Sequence, residues 1–103
     1  MEYVKGNFTI KGLEFYSMEI YLPKTTLLIV GNDYGYFMCG ALDVLLFDSK
    51  PHLKDRHVIC GRALGVKSID ELLNAKLDII SEEAKNKGVF EGMLVKDALL
   101  LIS

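Results

Sequence analysis

No segment of this sequence marks it for export or for a bilayer. Its first residues, Met1-Glu2-Tyr3-Val4-Lys5, form neither a basic n-region nor an apolar h-region. The longest apolar runs, 27–30, 44–47 and 98–102, fall far short of the roughly 20 residues a membrane helix requires. Cysteine is scarce: Cys39 and Cys60 are the only two, and no C-x-x-C pair exists, which excludes a disulfide scaffold. A basic excess is also missing. Twelve Lys and Arg stand against fourteen Asp and Glu, a formal net charge of −2, which argues against a nucleic-acid module. Neither G-x-G-x-x-G nor a Walker sequence occurs, so nucleotide binding has no support. Together these absences predict a cytoplasmic protein with reduced thiols, no cofactor, no nucleic-acid partner and no membrane attachment.

What is present is a folding sequence. Half of the 103 residues are hydrophobic and a quarter are charged, which excludes disorder and bounds the chain to a single domain. A domain this small hides only about two-thirds of the surface its unfolded chain exposes. Apolar side chains are therefore expected to be left over for a partner, and a two-fold homo-oligomer is the simplest use of them.

The periodicity predicts strands first. Residues 7–10 and 13–22 flank a turn at Lys11-Gly12, with Tyr16, Met18, Ile20 and Leu22 sharing one face of the second strand. Pro23-Lys24 turns the chain, and 25–30 is β-branched and apolar as a strand buried on both faces would be. A tight loop follows at Gly31-Asn32-Asp33-Tyr34-Gly35, then a short strand at 36–39. A helix is expected at 41–47, a polar loop at 48–56, and a strand from 57 running on through Val66. Ser68-Ile69-Asp70-Glu71 has the form of a capping box, opening a helix through Leu73. Further helices are expected at 78–87, ended by Gly88 as a left-handed cap, and at 96–102. The class predicted is α+β: an N-terminal, mostly antiparallel sheet with helices packed on one face.

An ordered set of residues resembles a known family. Asn32-Asp33-x-Gly35-Tyr36-x-Met38-Cys39-Gly40-x-Leu42-Asp43, then Gly61-Arg62-Ala63-x-Gly65-Val66, then Ile69-Asp70-Glu71-Leu72-Leu73, then Gly92-Met93 and Ala98-Leu99 look like the YunC-like bacterial and archaeal proteins, called domain of unknown function 1805. The resemblance runs from about Leu22 onward. It implies a compact α+β domain with no assigned activity, and the pattern falls here on Asn32, Asp33, Gly35, Cys39, Gly40, Asp43, Gly61 and Arg62. A cysteine at 60 or a histidine at 57 is not part of it.

Three functions compete for these residues. The leading one is a module that binds a small polar or anionic ligand, or a partner, near Asn32, Asp33, Gly40, Asp43 and Arg62. An arginine among small and apolar neighbours needs an anion, supplied by a ligand or internally by Asp33 or Asp43. The second is an enzyme: Cys39 at the start of the expected helix is placed for thiolate chemistry, with His52 or His57 as base and Asp43 orienting it. The plainer reading of Cys39 is a small residue packed between strand and helix. The third is a structural homo-oligomer without ligand, which an internally satisfied Arg62 would favour. Asn32, Asp33 and Asp43 lack the spacing of a cation loop, and His57 and Cys60, read as three apart on a strand, face opposite ways. No metal site is predicted.

Overall fold

The computed structural model describes residues 2–40 and 56–103. The helix expected at 41–47, Asp43, His52, Lys50 and Lys54 lie outside the described residues. Among the described residues one sheet runs in chain order through β1 (Glu2–Ile10), β2 (Leu13–Leu22), β3 (Thr25–Gly31), β4 (Gly35–Met38), β5 (Ile59–Arg62) and β6 (Ile79–Ile80). All neighbours are antiparallel except β4 and β5, which run parallel. The described residues also form three short helices: α1 (Ile69–Leu73), α2 (Glu82–Asn86) and α3 (Val95–Leu101). The α+β class and the mostly antiparallel sheet are as the periodicity predicts.

The turns explain the meander. Lys11 and Gly12 both have positive φ, 51° and 81°, the signature of a type I′ turn whose twist matches the strands it joins. It sets the closing pair Ile10–Leu13 and hence the whole β1–β2 register, in which Phe8 stands opposite Phe15 with ring centroids 5.7 Å apart. Lys24, at φ 65°, follows Pro23 in the pattern of a type II turn.

Register then decides which face is which. Phe15, Val30, Phe37 and Ile80, with Leu28 and Ile59, project to one side, where they meet Leu72, Ala84, Val95, Ala98 and Leu99 from the helices. That side is the core. A Cβ at Gly61 would lie about 3.0 Å from Ile80 and 3.1 Å from Leu77 and Phe37, so the centre of this layer is filled. The other side, hereafter the outer face, carries Tyr3, Lys5, Tyr16, Met18, Ile20, Ile29, Tyr36, Met38 and Arg62.

Several local expectations shift. β1 begins at Glu2 rather than residue 7, because pairing with β2 extends it where no alternation of polarity exists: residues 2–5 are exposed on both faces. β5 stops at Arg62, and Ile79-Ile80 forms β6 instead of opening a helix, since Ser81 caps the helix only from Glu82. The Ser68 hydroxyl accepts from Glu71 N–H (3.1 Å), as a capping box requires, but the Glu71 carboxylate reaches past Ser68 to Lys67 N–H (2.9 Å). Gly88, φ 96°, ends α2 as expected. Its N–H donates to Lys85 C=O and that of Val89 to Ala84 C=O, the paired bonds of a Schellman motif.

Candidate functional site

The loop between β3 and β4 is built by Asn32. Its side-chain oxygen accepts from the N–H groups of Tyr34 (2.9 Å) and Gly35 (3.1 Å), while its own N–H donates to the Gly35 carbonyl (3.0 Å). This is an Asx turn, and it occupies the polar atom that a ligand would need. Asp33 stands exposed at the tip. The Tyr16 ring lies over Gly31, where a Cβ would come within 2.7 Å of its hydroxyl. Burial pushes the Tyr16 hydroxyl above its ordinary range, and the nearby Asp33 charge adds to the shift.

Cys39 and Arg62 do not share a site. Cys39 extends the β3–β4 ladder by one bond, its N–H donating to Leu28 C=O (3.1 Å), and its side chain joins the core with 8% of the residue exposed. Its Sγ lies 3.9 Å from the Thr26 carbonyl oxygen. Arg62 pairs with Met38 in the parallel register and therefore projects to the outer face. There its Nε and Nη2 both donate to Asp78 Oδ2, at 3.2 and 3.1 Å. Asp78 returns a backbone bond, its N–H to the Arg62 carbonyl (2.8 Å). The anion that Arg62 needs is thus internal, but it is neither of the carboxylates expected: Asp33 sits at the opposite end of β4, and Asp43 is outside the described residues. Gly40, beyond Cys39, is held by packing, since a Cβ there would meet Leu64 Cδ2 at 2.8 Å.

His57 lies outside β5, in a turn with φ 53°, and its Nδ1 is 3.3 Å from Glu83 Oε2. Ala63, whose N–H bonds Met38 C=O (3.0 Å), marks the level of Cys39 on β5. The four extended residues of β5, about 13 Å of chain, separate it from His57, so this histidine is out of reach of Cys39 as a base. The His57–Glu83 pair instead borders a shallow groove of about 500 Å³, with Tyr34, Ile59 and Lys87. Nothing in the spacing of these residues pointed to their meeting.

The outer face is ordered in rows. One crosses every strand as Lys5, Met18, Ile29, Met38, Arg62 and Ile79; the row beside it reads Asn7, Tyr16, Gly31, Tyr36 and Cys60. Burial, with the Cys60 thiol and Tyr16 adding to it, holds the Tyr36 hydroxyl above its ordinary range. At the β1 end the surface is open: a depression of about 180 Å³ lies among Tyr3, Lys5, Met18 and Ile20, and the Lys5 ammonium sits 5.8 Å from the centre of the Tyr3 ring. Tyr3 and Val4 are 58% and 50% exposed, on opposite faces of the same strand. Among the described residues β1 pairs on one side only, with β2. Among them, too, no group of three His, Cys, Asp or Glu is placed to hold a metal ion, and no helix is long and apolar enough to cross a membrane.

Three likenesses frame this geometry. Residues 38–102 match the family model described as "Domain of unknown function (DUF1805)". The chain is 46% identical over 91 residues to "Uncharacterized protein YunC" of Bacillus subtilis (strain 168), covering 88% of each. In three dimensions it resembles the crystal structure of a protein of unknown function, TA1206, from Thermoplasma acidophilum, with a TM-score of 0.86, 24% identity, and coverage of 99% of this chain and 94% of that one.

Proposed function

The chain belongs to the DUF1805 family of domains of unknown function, and on that premise we propose that it is a binding module for a protein partner docked along the free edge of β1. One observation carries this reading: a nine-residue edge strand, unpaired on one side among the described residues, with Tyr3 and Val4 exposed on its two faces. An exposed edge offers a row of backbone donors and acceptors to another strand. Monomers blunt such edges with proline, bulges, short strands or charged side chains; β1 runs nine residues without proline or bulge, and Glu2 and Lys5 are its only charges. Tyrosine and methionine beside it are side chains that protein interfaces favour.

The remaining readings have weaker support. A thiol buried in the core, with no histidine near it among the described residues, does not favour a Cys39 nucleophile. An arginine already bonded to Asp78 leaves little for a free anion, and Asn32, Asp33, Gly40 and Arg62 fall at both ends of β4.

The test is photo-crosslinking in living cells, with the reactive group at position 3 and, as control, at exposed position 91. The expected result is one defined protein attached through position 3, lost in a Lys5→Pro background at equal expression. No adduct at position 3, or equal adducts at both positions, overturns the reading.

A further inference from the structure

Resting on that reading, we infer that the partner at the β1 edge is a second copy of this chain, paired antiparallel with β1 about a two-fold axis at Gly6. The type I′ turn makes Ile10–Leu13 a hydrogen-bonded pair, so by alternation the backbone groups of the even residues of β1 face β2. Those of Tyr3, Lys5, Asn7 and Thr9 face outward, free to pair. A two-fold axis normal to the sheet keeps core face with core face, and it permits only registers in which paired residue numbers sum to an even value.

The side chains choose among those registers. A sum of 10 sets Lys5 directly against Lys5 of the second copy, a like-charge pair that destabilises. A sum of 12 sets Lys5 against Asn7 and Tyr3 against Thr9. It also brings Val4, half exposed on the uncovered half of the core face, against Phe8, whose ring is already packed on the core. Gly6 then meets Gly6 in a non-hydrogen-bonded pair with Cα atoms about 4.5 Å apart, the closest point of the interface. At each end Glu2 stands opposite Ile10, so the whole of Glu2–Ile10 is paired. A sum of 14 exchanges the Val4–Phe8 contact for Val4 against Ile10 and pairs only residues 4–10 of the strand. The sum of 12 is therefore the register that avoids the lysine pair and uses the full length of the strand.

The experiment begins with sedimentation equilibrium of the full chain, where a dimer has twice the 11.5 kDa of one chain. Lys5→Pro removes only an outward N–H, so it is expected to give a monomer with unchanged circular dichroism. Gly6→Cys, made with Ser17→Ala because a Cβ at Gly6 would lie 2.8 Å from Ser17 Oγ, is expected to form an interchain disulfide under mild oxidation. Thr9→Cys is not, since the two copies of position 9 lie about 20 Å apart in this register. A monomer at every concentration, a dimer that survives Lys5→Pro, or equal crosslinking at positions 6 and 9 overturns the inference. If a different protein is captured through position 3 in cells while the purified chain is monomeric, the edge-docking reading stands and the second copy falls.

Discussion

Replacing Ser81 by alanine tests the junction that ties β5, β6 and α2 together. Ser81 is 1% exposed, and its hydroxyl uses its whole bonding capacity. It donates to the Val58 carbonyl (2.7 Å) and accepts from the N–H groups of Cys60 (3.1 Å) and Ala84 (3.3 Å), the last as N-cap of α2. Losing an N-cap costs about 1 kcal/mol, and each of the other two bonds contributes about 1 kcal/mol net. Ser81→Ala should therefore destabilise by about 3 kcal/mol. Ser68→Ala removes a single, solvated cap bond, to Glu71 N–H, and should cost about 1 kcal/mol or less. Urea unfolding followed by circular dichroism measures both on the same chain. With slopes of about 1–3 kcal/mol/M, the midpoint of Ser81→Ala should fall by at least about 1 M and clearly further than that of Ser68→Ala. Equal midpoints for the two variants would refute the claim that burial and shared bonding make this serine special.

Four further outcomes follow from the geometry. Gly35→Ala should destabilise by about 1–3 kcal/mol in the same unfolding assay, because its Cβ would fall 2.6 Å from the Ile59 carbonyl oxygen and force the parallel pair apart; an unchanged midpoint would contradict that closeness. Tyr16 and Tyr36 keep their protons to higher pH folded than unfolded, so the stability they lend is complete below the unfolded value of about 10 and is lost as pH rises through their folded values. Stability should therefore fall as pH rises above about 10, and the stability of Tyr36→Phe should fall less steeply. Arg62→Ala should cost about 0.2–1 kcal/mol, and the loss should shrink at high salt, since the Asp78 pair is partly solvated; a much larger loss would assign this arginine another partner. Cys39 should be alkylated only as fast as the chain unfolds, and fast modification of the native protein, mapped by mass spectrometry, would return it to the list of nucleophiles.

How much of this was legible depends on the range over which each feature is decided. Turn chemistry is local, so Lys11-Gly12, Pro23-Lys24, the Asn32 loop and the Gly88 cap could be located by eye, and with them the first three strands. The α+β class follows from the same patterns. Ser81 was hidden because Ile79, Ile80 and Ala84 fit a helical period. Only pairing of Ile79-Ile80 with β5 makes the serine a cap instead of an interior helical residue. The extension of β1 to Glu2 had no periodic signal at all, because neither face of that half-strand is covered.

The candidate site divides along the same line. Residue types and spacing by themselves determined that the 31–35 segment is a tight turn, that Arg62 needs an anion, and that Cys39 ends a short strand. Which side of the sheet each side chain occupies was settled by tertiary pairing alone, since in a strand a shift of one residue exchanges the faces. The parallel register of β4 with β5 sends Arg62 outward to Asp78 while Cys39 turns into the core, and the β3–β4 ladder leaves Asp33 at the far end of β4. The free edge of β1 is likewise a property of strand order, which exists only once the chain has chosen its neighbours.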